Sequence, residues 1–260
     1  VLEEAQKLGY AEADPTYDIE GIDAAHKITI MSAIAFGIPV QFDKAYIEGI
    51  TRLTQEDISY AEKLGYRIKL LGITRRVAKG IELRVHPALI PERRLLANVE
   101  GVMNAVVVKG DAVGATLYYG AGAGAEPTAS AVIADLVDVA RMQAADPAHR
   151  VPVLSFQPDA LAEIPILPME EVEAACYLRL QVIDKPGVLA EITRVLADFN
   201  ISISAMIQKE TVDEGGSVSI IILTHKNLEK NMNAAIARIE ALPVVTGQIA
   251  RIRIEELNSN

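Results

Sequence analysis

At 260 residues, half of them apolar, the chain is long enough for one large or two medium-sized domains with a sizeable core. Its 35 acidic and 25 basic residues leave a formal charge of −10, and it has no tryptophan, so a phosphate-backbone partner and base-stacking platforms are excluded and no nucleic-acid partner is expected. A single cysteine, Cys176, excludes an internal disulfide and a multi-thiolate metal site, and no apolar run or leader-like start marks a membrane or secreted protein, so a metal-free cytoplasmic protein is expected.

The chain opens on Val1 in VLEEAQKLG, a short amphipathic segment stopped by Gly9, with nothing that resembles a domain start. The expectation is a fragment whose earlier part is absent. Gly9 to Lys27 then reads GYAEADPTYDIEGIDAAHK. It concentrates Glu12, Asp14, Asp18, Glu20 and Asp23 ahead of Lys27. It turns at Pro15, breaks at Gly21 and enters an apolar helix that reaches Phe36. Asp23 and Lys27 lie four apart and share a helix face. Loop carboxylates beside an acid–base pair suit a small polar ligand. A surface ion pair under a solvated acidic loop has the same spacing.

This string resembles the substrate-site signature of the homoserine dehydrogenase family: glycine, tyrosine, any residue, glutamate, any residue, aspartate, proline, and later aspartate followed by lysine. The resemblance implies substrate-binding roles for Glu12, Asp18 and Asp23 and a catalytic role for Lys27. It extends through GVMNAVVVKGDAVGATLYYGAGAGAEPTASAVIADL, residues 101–136.

The helix over 21–37 is apolar on most sides and is expected to be buried. His26 points away from Lys27 and is expected to cap or lie on the surface. Thr54 and Asp57 are spaced as a capping box for a helix running to Lys63. Tyr66–Arg76 reads as a strand. Ile81, Leu83 and Val85 alternate with Glu82, Arg84 and His86 as a half-buried strand, and His86 before Pro87 is read as structural. Runs at 105–109 and 114–119, joined at Gly110–Asp111, read as a hairpin. The sum is an α/β (α+β) unit, a mixed sheet of about four strands backed by helices. In GAGAGAEPTASAVIADL, three closely spaced glycines lead into a helix that opens with Pro127. Such a loop offers amide donors to an anionic or amide-bearing ligand, and a packed turn has the same composition. The family resemblance implies that Gly124 contacts a cofactor, NADP or NAD. No GxGxxG dinucleotide turn between strand and helix occurs in the sequence, so most of that site is expected in a segment before Val1.

Five prolines between Asp146 and Glu170 mark a surface connector. Residues 174–256 follow as β-α-β-β-α-β, a ferredoxin-like unit. Its VIDKPGVLAEITRVLADFNISI resembles the ACT regulatory domain, which implies an amino-acid effector near Gly187, Asn200 and Ile201. The expected division is 1–150 for a substrate-binding, catalytic and dimerisation domain, 151–173 for a Pro-rich linker and 174–256 for the ACT domain.

Taken as a member of that family, the chain belongs to an enzyme interconverting L-homoserine and L-aspartate 4-semialdehyde in threonine, methionine and isoleucine biosynthesis. The resemblance implies feedback through the ACT domain, with L-threonine the expected effector, and a homo-oligomer, dimer or tetramer. Without a dinucleotide turn the chain alone is expected to be inactive. The alternative is a non-catalytic amino-acid-binding regulatory or dimerisation protein.

Overall fold

The computed structural model describes residues 14–146, 150–208 and 216–257. Asp14 opens them by accepting bonds from the Thr16 amide (3.1 Å) and hydroxyl (2.6 Å), which starts the single turn Thr16–Ile19 (α1). Gly21, in the left-handed region at φ 78°, turns the chain into Ile22–Phe36 (α2), and Gly37 at φ 63° ends it. A Cβ on Gly37 would lie 2.9 Å from the Phe156 ring, so that stop is also a packing contact.

Next come Tyr46–Ile47 (β1), Gln55–Lys63 (α3), Tyr66–Val77 (β2) and Gly80–Pro91 (β3). The Thr54 capping box forms as expected: the Asp57 amide donates to the Thr54 hydroxyl and the Thr54 amide to the Asp57 carboxylate. Met103–Gly110 (β4) and Gly114–Ala121 (β5) form a separate two-stranded sheet, followed by Ala125–Ala144 (α4). The C-terminal part is Glu173–Ile183 (β6), Val188–Asp198 (α5), Ile203–Gln208 (β7), Ser217–Thr224 (β8), Asn227–Leu228 (β9), Glu229–Glu240 (α6) and Ala250–Ile254 (β10).

The main sheet runs β1-β3-β10-β6-β8-β7, with β2 on the other edge of β3 and β9 against β6. The segment β10-β6-β8-β7 is the ferredoxin-like order expected of β-α-β-β-α-β. However, β10 also pairs in parallel with β3, Arg253 opposite Ala88 and Ile254 opposite Leu89. It continues, end to end, the edge that β1 occupies at Arg84 and Val85. The N-terminal and C-terminal parts therefore share one mixed sheet.

Three apolar clusters follow. Helix α2 packs Ala25 and Ile28 on Leu83 and Val85. Helices α5 and α6 cover one face of the C-terminal strands through Ile192, Leu196, Met232 and Ile239. Tyr60 and Ala61 of α3 cover the opposite face, meeting Tyr177, Ile221, Leu223 and Ile252.

Three expectations change. The half-buried strand is buried along its whole length, because β1, β2 and β10 pair with it and charged partners cover its polar side. The hairpin strands β4 and β5 stand apart from β2 and β3, and their connection spans 111–113 rather than two residues, with Gly114 at φ 76°. Helix α2 buries one side only; Ile30 and Ile34 are exposed. The proline-rich stretch is mostly exposed and is held to the body at three points: Ala162 donates to the Gly37 carbonyl, Ile81 to Pro165 and Leu167 to Ile81. His26 stacks on Phe42, ring centroids 4.1 Å apart.

Candidate active site

Helix α2 carries Asp23 in its first turn and Lys27 one turn on. The Lys27 ammonium donates to Asp23 Oδ2. Both are exposed, the side chains 66% and 45% accessible. Asp23, Lys27, Ile30 and Ile34 fall on one helical stripe. The stripe faces outward because the opposite one, Ala25, Ile28, Thr29 and Ser32, is used against the sheet. Asp18 is exposed on α1, immediately before the turn, and its carbonyl accepts the Gly21 amide. Asp18 is thus separated from the Asp23–Lys27 pair by the Gly21 turn, and only Asp23 and Lys27 are in contact. Glu12 lies outside the described residues.

The turn before α2 is held from behind. Ile50 donates to the Ile19 carbonyl at 2.8 Å, and a Cβ on Gly49 would lie 2.5 Å from that same oxygen, so only glycine allows the approach. Glu48, next in line, accepts from Tyr46 (2.7 Å) and from Arg253 (2.7 Å). Burial pushes the Glu48 carboxyl up, but Arg253 beside it outweighs this and holds it below the usual range. Burial raises the Tyr46 phenol. Sequence patterning singled out neither Glu48 nor Arg253. Each reads as an ordinary exposed charge, and only the strand pairing puts them together.

Gly124 is the residue before α4, at φ 118° and ψ 158°, a conformation open to glycine alone. Helix α4 has no buried residue, and it exposes Val132, Ile133 and Leu136. In the C-terminal unit, Gly187 at φ 94° starts α5, and residues 182–189 with Gln208, Val218 and Ile220 line a cleft of about 320 Å³. Asn200 and Ile201 lie at the other end of α5. Asn200 is exposed at φ 55°, and Ile201 is a buried core residue. Within one protomer these two are not brought to Gly187. Cys176 is buried, its thiol pushed up to about 12 by burial and by Glu229, and acts as a packing residue. Among the described residues no cluster of histidine, cysteine or carboxylate could hold a metal ion, and no helix is long and apolar enough to cross a membrane.

An acid–base pair on an open helix face, over a mixed sheet shared with a βαββαβ unit, defines a mixed α/β protein with a ferredoxin-like C-terminal part. A homoserine dehydrogenase family model matches residues 1–137, and an ACT domain model matches residues 177–244. The chain belongs to the homoserine dehydrogenase family. It is 62% identical to homoserine dehydrogenases of Pseudomonas aeruginosa and Neisseria gonorrhoeae over 99% of its length. A solved homoserine dehydrogenase from Thiobacillus denitrificans is 71% identical, with a TM-score of 0.92, over 99% of this chain and 58% of that one. A Staphylococcus aureus homoserine dehydrogenase is 30% identical, with a TM-score of 0.66. The chain spans about 59% of the length of the curated relatives it matches.

Proposed function

We propose that this chain is the substrate-handling and regulatory part of an enzyme that interconverts L-homoserine and L-aspartate 4-semialdehyde. The observation that carries this reading is the Asp23–Lys27 pair on the open face of α2, inside the segment that matches the family model. Lys27 exchanges a proton with the substrate's hydroxyl or carbonyl oxygen. Asp23 orients the lysine, and with Glu12 and Asp18 it receives the substrate's ammonium group. A nicotinamide cofactor, NADP or NAD, carries the hydride when bound. The residues present fit one end of it: the glycine-only backbone at Gly124 and the first amides of α4 offer donors to an amide or phosphate. With no dinucleotide turn in the sequence, the 260 residues alone are proposed to be inactive.

The reading extends to a cytoplasmic homo-oligomer, dimer or tetramer, regulated by an end-product amino acid, L-threonine first. The cleft at residues 182–189, with Gly187 at a helix start, favours such a ligand. It equally supports the second reading, a non-catalytic amino-acid-binding or dimerisation protein. Homoserine-dependent reduction of NADP by this chain joined to its family's nucleotide-binding segment separates the two. Turnover lost in Lys27→Ala, with the fold intact, supports the enzyme. Binding of amino acids at the cleft without turnover in any form supports the alternative.

A further inference from the structure

We infer that Arg253 is a positioning residue for the Asp23–Lys27 face, and that it ties this face to the start of α6 through Glu229. The inference rests on the proposed function for its catalytic consequence, and on geometry alone for its mechanical one.

Arg253 is 1% exposed and sits on β10, the strand shared by the two halves of the sheet. Its fork reaches in two directions. Nε and Nη2 each donate to the Glu229 carboxylate at 2.9 Å, while Nη1 donates to Glu48 at 2.7 Å. Nη2 also meets the Tyr46 hydroxyl at 3.2 Å, and the guanidinium lies 5.1 Å from that ring's centre. A planar fork can satisfy two carboxylates along different edges; an ammonium cannot reproduce this set.

Each arm ends on a fixed backbone. Glu229 is the first residue of α6, itself 1% exposed, and its amide donates to the Val172 carbonyl. The Glu48 amide donates to the Val85 carbonyl, and the next two residues contact the turn before α2. Gly49 lies under Ile19 and Glu20, and Ile50 bonds Ile19. Gly21 is buried and left-handed at φ 78°, and a Cβ there would press on Val85 Cγ1 at 3.0 Å. Two residues later comes Asp23. From α6 to the candidate catalytic pair, the path passes through one guanidinium and a run of close backbone contacts.

Hydrogen exchange of the intact 260-residue chain tests the mechanical claim. In Glu229→Gln, Glu48→Gln and Arg253→Lys, amides of residues 16–27 are expected to exchange about tenfold faster, with residues 218–224 unchanged. Glu229→Gln is decisive, because the substitution is in α6 and the effect is read at α1 and α2. A rise confined to the substituted element, or equal acceleration in both segments, would overturn the inference. Arg253→Met is not needed, so a variant that fails to fold leaves the test intact. The catalytic arm uses the chain joined to the nucleotide-binding segment. There Glu229→Gln and Glu48→Gln are expected to raise the homoserine KM roughly tenfold with kcat changed less than about twofold. Unchanged KM alongside loosened residues 16–27 would refute the positioning role. Absence of turnover in the unsubstituted protein would sink the proposed function, and the exchange arm would still decide the mechanical claim.

Discussion

Asp57 and Arg179 are joined at two points across 122 residues of sequence: Nε donates to Oδ1 at 2.6 Å and Nη2 to Oδ2 at 3.0 Å. Asp57 is fully buried, and the same carboxylate completes the Thr54 capping box and accepts from the Tyr177 hydroxyl. Burial pushes this carboxyl up, but the Arg179 and Thr54 bonds win and leave it below the ordinary range. One side chain thus caps the start of α3 and anchors it to β6.

Asp57→Ala should therefore destabilise the protein by about 2 kcal/mol, since it removes a cap and the two-point partner of a largely buried guanidinium, which keeps only Glu56 at 3.3 Å and the Thr54 hydroxyl at 3.2 Å. Urea unfolding measures it. A loss below about 1 kcal/mol, the range of a cap alone, would mean that Arg179 finds water or another partner.

His86 sets a pH dependence. It is fully buried, its Nδ1–H donating to the Pro87 carbonyl and its Nε2 accepting from Arg84. Burial first, then Arg253, Arg84 and Arg251, holds its pKa well below 6.5; Glu82 and Glu255 bond the same Arg84. Because the folded value is depressed, the unfolded chain binds the extra proton as pH falls below 6.5. The stability contribution is complete above 6.5 and shrinks on acidification, by up to about 1.4 kcal/mol per pH unit. His86→Gln should flatten the stability profile as pH falls below 6.5. An unchanged slope would assign the dependence to other groups.

Lys27→Ala should leave stability within about 0.5 kcal/mol, because the Asp23 pair is exposed and a pair of this kind contributes little. A thermal melt beside an activity assay of the enzyme form separates the two roles. Loss of turnover with an unchanged melt is the expected outcome; a drop in both would make the lysine structural.

Gly187→Val should abolish threonine heat in calorimetry of the intact chain. The glycine's φ of 94° is strained for valine, although a Cβ there meets nothing within 4 Å, so the effect is on backbone shape rather than on packing. Threonine heat that persists unchanged would place the effector elsewhere.

Local features were legible in the sequence because local chemistry decides them. The Thr54–Asp57 cap, the β-α-β-β-α-β order and the Asp23–Lys27 face each depend on residues a few positions apart. The alternation of Glu82, Arg84 and His86 misled because it reports polarity, not exposure. Their cover comes from Arg75 of β2 and from Glu255, just past β10, and no periodicity in 80–91 records either. For the same reason the order Leu178-Arg179-Leu180 marks Arg179 as facing the other side of a strand from the leucines, and nothing local marks it as the partner of a helix cap.

The parallel pairing of β10 with β3 has a consequence for how the chain acquires its shape. During synthesis β2 and β3 emerge early, yet the edge of β3 at Ala88 and Leu89 has no strand beside it until residues 250–254 arrive. Until then that edge is open to register slips or to another chain, and the Glu48 carboxylate lacks its guanidinium. Closing such a span costs entropy before the pairing rewards it, so completion of the sheet is expected to wait on β10 rather than on either half maturing alone. A chain cut before Ala250 would expose two edges at once, at β3 and at β6, and would be prone to aggregate.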